Sequence, residues 1–179
     1  MRELLKMLGE ISRLESEGIQ VVEEPVGVLE IYEYLERQFR PAAQAKALKF
    51  VSEPCPYVVD TDPALLRGML SNLVSNAIRY TPQGAVVLRC LEQPDGSLRL
   101  AVSDTGIGIP SGQVQTIFED FRRLEEARRI HGEGFGLGLG IVRRLSDLLG
   151  FPVEVESSIG RGSTFRVSIP PAKVHRLPG

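Results

Sequence analysis

Asp104 closes a run of alternating apolar residues, and the segment DTGIGIP that it opens sets Gly106 and Gly108 just behind it. A carboxylate at a strand end, with glycine leaving room beside it, can accept a hydrogen bond from the exocyclic amine of adenine. Guanine carries a carbonyl oxygen at that position and would be repelled. One charge-assisted bond of this kind is worth about 1.5–3 kcal/mol, enough to prefer adenine about tenfold or more. The same residue in the same place also makes plain Asx turns, and both readings stand at this point.

A second constellation is Asn72, Asn76 and Arg79 in NLVSNAIRY. Spacings of four and three put all three on one helix face. Asparagine is a mediocre helix former, so two on one face are either buried polar packing or ligands. Mg²⁺ takes hard oxygen ligands and shares its shell with substrate phosphates. A neutral amide oxygen suits a site where phosphates already bring the negative charge, with Arg79 facing them as a cation.

The third is GEGFGLGLG, in which Gly134, Gly136, Gly138 and Gly140 alternate with Phe135, Leu137 and Leu139 before an apolar helical pattern. Apolar anchors would fix such a loop while its N–H groups and the following helix start face an anion. The alternative is a hinge without a ligand. No Lys-Ser or Lys-Thr follows the glycines and the G-x-G-x-x-G spacing is absent, so a P-loop or Rossmann site is not expected. Between the clusters, Phe118 and Phe121 flank Glu119-Asp120 and read as anchors of a charged lid. Its Arg122, Arg123, Arg128 and Arg129 form a solvated face with Glu125 and Glu126. Neither His131 nor His175 has an acid placed in sequence to orient it, so a catalytic histidine is not expected.

The elements that must position these groups follow from periodicity. Leu4, Leu8 and Ile11 mark an amphipathic helix over Met1 to Glu17, ended by Gly18. It is either packed on the domain or the cut end of a longer helix. Pro25 to Ala47 reads as a second helix with Val28, Ile31, Leu35 and Phe39 inward, ended or bent at Pro41. Leu48 to Ser52 and Tyr57 to Asp60 are short strands around Pro54-Cys55-Pro56. Asp62-Pro63 caps a helix that runs to Tyr80. Ala85 to Leu91 and Ser97 to Ser103 form a hairpin through Pro94-Asp95-Gly96. Leu139 to Leu149 is helical, and Val153 to Ser157 with Ser163 to Ile169 is a last strand pair. The tail PPAKVHRLPG is expected to fray. This order predicts an α/β (α+β) two-layer sandwich, one mixed and mostly antiparallel sheet with helices on one face.

Bulk properties agree with a globular domain: 179 residues, 42% hydrophobic and 25% charged. A net charge of −2 excludes a generally basic, nucleic-acid-binding surface. Cys55 and Cys90 match no metal spacing and read as reduced thiols, in keeping with a reducing, cytoplasmic compartment.

In sequence order, NLVSNAIRYT, DTGIGIP, IFEDF, GFGLGLGIV and GRGSTF resemble the N, G1, F, G2 and G3 boxes of the sensor histidine kinases, a branch of the ATPase superfamily shared with gyrase B, Hsp90 and MutL. The resemblance spans about Leu4 to Ile169. It implies the Bergerat fold and Mg-ATP as ligand. It places Asn76 as the Mg²⁺ ligand and, together with Arg79, as a catalytic residue, with Asn72 beside it. Arg79 falls where the family usually has a phosphate-contacting lysine, a change that keeps charge and alters geometry. Tyr80 falls near the base, Asp104 at the adenine, and Gly106 and Gly108 in the G1 loop. Gly134, Phe135, Gly136, Leu137 and Gly138 make the G2 loop, and Thr164 comes from the G3 box. Phe135, with the arginine-rich lid, is similar to some hybrid kinases.

EISRLESEG resembles the end of the second helix of the family's phosphoacceptor domain. The resemblance therefore implies three parts: residues 1–18 as a remnant of that helix, 19–170 as the ATP-binding domain and 171–179 as a flexible tail. It further implies delivery of the γ-phosphoryl group to a histidine of a separate domain, a downstream response regulator, a homodimeric parent that a membrane could anchor, and an isolated chain that binds ATP without phosphorylating itself. The competing readings are a degenerate nucleotide-binding module, a hydrolytic ATPase of the gyrase B kind, and a serine-phosphorylating anti-sigma kinase. The helix that carries Asn72 offers Asp62 at its start and no glutamate, which argues against the hydrolytic ATPase.

Overall fold

The computed structural model describes residues 20–114, 116–118 and 138–177. The expected helix over residues 1–18 and the lid lie outside them, as do His131 and the loop residues Gly134, Phe135, Gly136 and Leu137. The described elements are β1 (Glu24–Gly27), α1 (Val28–Ala45), β2 (Lys49–Ser52), β3 (Tyr57–Thr61), α2 (Pro63–Tyr80), β4 (Ala85–Glu92), β5 (Leu98–Asp104), α3 (Gly138–Leu149), β6 (Val153–Ser158), β7 (Gly162–Ile169) and β8 (Val174–Arg176).

Five strands form the main sheet in the order β2-β4-β5-β7-β6, parallel only between β2 and β4. Alternation decides its faces. Val86, Leu88, Leu98, Leu100, Val102, Phe165, Val167 and Ile169 are buried and meet Leu66, Met69, Leu70, Leu73 and Val74 of α2 and Ile141, Val142 and Leu145 of α3 in one core. The opposite face carries the ion pairs Arg99–Glu154 at 3.9 Å and Arg166–Glu156 at 2.7 Å. The two-layer sandwich is thus as expected.

Details differ from the sequence reading. Strands do not make one sheet: β1, β3 and β8 form a second, three-stranded sheet. Its first strand, EPVG, is four residues long and leads straight into α1, so its proline and brevity disguised it as a helix start. Of the two outcomes expected at Pro41, an end to the helix is ruled out, since it lies inside α1, which runs on to Ala45. The proline is exposed, as is Arg37, the residue whose carbonyl loses the helical N–H partner. The expected frayed tail is ordered through Leu177. Val174–Arg176 pairs with β3, Leu177 N–H donates to Pro56 O at 2.9 Å, and Lys173 pairs with Glu23. In the same strand His175 Nε2 lies 2.7 Å from Asp60 Oδ2, so it does have an acidic partner, one that adjacent strands supply.

The cysteines correct a further expectation. Cys55 and Cys90 form a disulfide, their Cα atoms 5.6 Å apart. Parallel pairing of β2 with β4 carries the chain past Ser52 alongside Leu88, which brings the turn after β2 to Cys90. Among the described residues no helix is long and apolar enough to cross a membrane.

Candidate nucleotide site

Helix α2 and the end of β5 form the two sides of the site. Asp62 starts α2, its Oδ1 accepting from Ala64 N at 2.9 Å and Leu65 N at 3.1 Å, with Pro63 at the first helical position. An extended N-cap with a short acidic side chain satisfies N–H groups that lack intrahelical partners. From there the helix runs Asn72, Asn76, Arg79 and Tyr80 toward the loop after β5.

A cavity opens between them, lined by Asn76, Ala77 and Tyr80 from α2, Asp104, Ile107, Gly108 and Ile109 from β5 and its loop, Gln113, Thr116 and Ile117 beyond it, Leu139 of α3, and Ser163 and Phe165 of β7. Its walls are mostly apolar, with few polar groups. That is the usual make-up of a site for a flat, partly apolar ligand.

Asp104 is aimed by backbone. Its Oδ1 accepts from Gly106 N at 2.8 Å and from Ser163 N at 3.3 Å. Oδ2 takes no hydrogen bond among the described residues. Burial pushes this carboxyl above the usual aspartate range, and the Gly106 and Ser163 N–H groups draw it partly back. The Asx-turn reading holds for Oδ1, and Oδ2 is left toward the cavity.

The loop that follows needs its glycines. Gly108 has φ +72°, and a Cβ there would run into the Ser158 carbonyl. A Cβ on Gly106 would meet the Tyr80 carbonyl. Main-chain bonds fix the same loop: Ile107 N–H to Tyr80 O at 3.1 Å, Gly160 N–H to Ile107 O at 2.8 Å, and Ile109 N–H to Ser157 Oγ at 2.8 Å.

At the other end, Gly138 opens α3 against α2. A Cβ on it would stand 3.3 Å from Asn72 Oδ1 and 3.4 Å from Asn76 Nδ2. Asn72 Nδ2 donates to Gly68 O at 2.9 Å. The Asn76 carboxamide makes no hydrogen bond among the described residues, so its oxygen is available. No trio of His, Cys, Asp or Glu side chains that could hold a metal occurs among the described residues. A magnesium ion here would depend on one amide oxygen, water and ligand phosphates, and the free Asn76 carboxamide fits that donor set.

Asn76, Tyr80, Asp104 and Gly108 thus meet around one cavity, with Asn72, Gly106 and Gly138 in contact with its lining residues. Arg79 and Thr164 do not line it. The Arg79 guanidinium makes no hydrogen bond among the described residues. Thr164 is corrected by register: it lies opposite Ser103, and its Oγ1 donates to Ser103 Oγ at 3.0 Å. Its neighbours Ser163 and Phe165 occupy the cavity face. Sequence reasoning missed these two, along with Ile109 and Ile117. Phe118 packs edge-on against Phe165, ring centroids 6.3 Å apart, while Phe121 and the lid that the two were expected to anchor lie outside the described residues.

Fold and cavity define a two-layer nucleotide-binding domain, and the family follows. Residues 61–173, more than half of the chain, match the family of histidine kinase-, DNA gyrase B- and HSP90-like ATPases, and the chain belongs to it. It is similar to the sensor protein GacS of Pseudomonas syringae pv. syringae, 34% identical over 176 residues, which is 93% of this chain and 19% of that protein. It is also similar to the aerobic respiration control sensor protein ArcB of Escherichia coli K12, 35% identical over 167 residues, 89% of this chain and 21% of that one. The chain therefore spans about a fifth of the length of these curated relatives. Among solved structures, full-length ShkA in complex with AMPPNP superposes with a TM-score of 0.82 at 28% identity, over 99% of this chain and 37% of that one. The mycobacterial sensor histidine kinase MprB gives 0.71 at 26% identity, over 88% of this chain and 100% of that one. The relatives and solved structures it matches at these identities are sensor kinases, and the family is one of ATPases.

Proposed function

We propose that this domain binds Mg-ATP and presents the γ-phosphoryl group to a histidine imidazole on a separate phosphoacceptor domain. The observation that carries this is Asp104: a carboxylate held by two backbone N–H groups, with its second oxygen unsatisfied at an apolar cavity. That oxygen accepts from the adenine amine. Tyr80, Ile109, Ile117 and Phe165 enclose the ring and exclude water. Asn76 offers its amide oxygen to magnesium, which supplies charge neutralisation on the phosphates when bound. Arg79, a cation one helical turn from Asn76 and without a hydrogen-bond acceptor among the described residues, swings to the phosphates.

Transfer of this kind depends on positioning and charge far more than on covalent help. The imidazole nitrogen bonds to the γ-phosphorus, and the bond to the β–γ bridging oxygen breaks to leave ADP. Neither His131 nor His175 stands in an acceptor motif, so the isolated chain binds ATP and does not label itself on histidine. The downstream partner is a response regulator, and the acceptor region pairs two copies of the parent protein.

Two experiments test this reading. Calorimetry should find ATP bound more tightly than GTP by about tenfold or more. Labelled ATP, the chain and a purified phosphoacceptor domain should together yield acid-labile phosphohistidine on the acceptor alone. Label on a histidine of this chain, or no ATP binding at all, would overturn it, and the latter result would favour a degenerate module.

A further inference from the structure

We infer that Lys46 is a positioning residue for the nucleotide cavity: its ammonium locks the last turn of α2, which forms one wall of the cavity and anchors the loop that aims Asp104. This rests on the reading of the cavity as an ATP site.

The starting point is an accounting of carbonyls. A helix leaves its last four C=O groups without intrahelical partners. In α2 these belong to Ala77, Ile78, Arg79 and Tyr80, and all four are satisfied from outside the helical pattern. Thr81 Oγ1 donates to Ala77 O at 2.6 Å. Lys46 Nζ donates to Ile78 O and to Arg79 O, both at 2.8 Å. Ile107 N–H donates to Tyr80 O at 3.1 Å. Two of the four residues, Ala77 and Tyr80, line the cavity, as does Ile107. The turn is thus held on one side by Lys46 and on the other by the loop between Asp104 and Gly108.

Lys46 is well placed for such a role. It is the C-cap of α1, so the residue that ends one helix caps another with its side chain. The following Ala47 has φ +54°, a left-handed conformation that turns the chain sharply into β2 and leaves Lys46 fixed at the corner. No carboxylate pairs with Lys46 among the described residues, so its partners are the carbonyls. A cation at a helix C-terminus also opposes the negative end of the helix dipole. Burial, and then the nearby Arg79 charge, push the ammonium below the usual lysine range. The side chain is therefore held against an electrostatic cost, and the two carbonyl bonds offset it.

If the last turn loosens, Tyr80 O releases Ile107 and Asp104 Oδ2 loses its aim. Base discrimination should then suffer along with affinity. A defect that only lowers the folded fraction reduces ATP and GTP binding by the same factor and leaves their ratio unchanged.

The test is calorimetry of the whole chain with Mg-ATP, Mg-GTP and adenosine, for wild type, Lys46→Met and Lys46→Arg. For K46M, ATP and adenosine affinity should fall about fivefold and the ATP:GTP ratio should shrink with them. K46R keeps the charge and the donors and should restore both. Should K46M fail to fold, Lys46→Gln takes its place in the same measurement. An unchanged ATP:GTP ratio in the neutral variant, or no recovery with arginine, overturns the role of Lys46. Failure of the wild type to bind ATP would instead overturn the nucleotide reading on which it rests.

Discussion

The N–H of Gly106 donates to Asp104 Oδ1 at 2.8 Å, two residues away. The loop that makes room for a base therefore also aims the carboxylate meant to read it. Asp104→Asn keeps the shape and removes the charge. ATP affinity should fall about tenfold or more, measured by calorimetry.

The same carboxyl sets a pH dependence. Its value is raised in the folded state because burial disfavours the charge. A raised acid contributes stability that is present at low pH and lost as pH rises through its folded value. At neutral pH the ionised Asp104 is therefore a net cost to folding, and Asp104→Asn should melt no lower than wild type. ATP binding has the opposite slope: it needs the ionised form and should decline on acidification, starting above the usual aspartate range. Paired melting and titration series across pH check both signs.

Gly108→Ala places a side chain at φ +72° against the Ser158 carbonyl. The loop cannot relax cheaply, because Ile107 and Ile109 are tied on both sides of it. A loss of about 1–3 kcal/mol is expected in urea unfolding, together with weaker nucleotide binding.

Asn76→Ala removes the free amide oxygen. ATP affinity without magnesium should change little, while the gain on adding magnesium should disappear. Titrations with and without the metal separate the two.

Cys55 and Cys90 are 35 residues apart in sequence. Releasing that bridge, by Cys90→Ser or a dithiol reductant, should cost about 2–4 kcal/mol through the freed unfolded chain. Urea denaturation with and without reductant measures it.

Much of the site was readable because local rules govern it. Asp104 ends an alternating strand, Asp62-Pro63 carries the chemistry of a helix start, and Asn72 and Asn76 share a face by spacing alone. What was missed depends on pairing between distant segments. Whether Ser163 or Thr164 faces the cavity turns on which of them lies opposite Asp104, and a one-residue slip reverses the answer. The cysteine bridge needs β2 parallel to β4, and the acid beside His175 needs β8 on β3. Lys46 was silent for the same reason: nothing in AKALKF points to carbonyls more than thirty residues away.

The three-stranded sheet has a mechanical consequence. β1 and β8 both run antiparallel to β3, so Glu24 lies at its Thr61 end and Arg176 at its Tyr57 end. A tension applied between residues 24 and 176 pulls the two outer strands in opposite directions along their length. It loads the hydrogen bonds in shear, all together, and does not peel them one at a time, while the five-stranded sheet and its cavity stay outside the line of force.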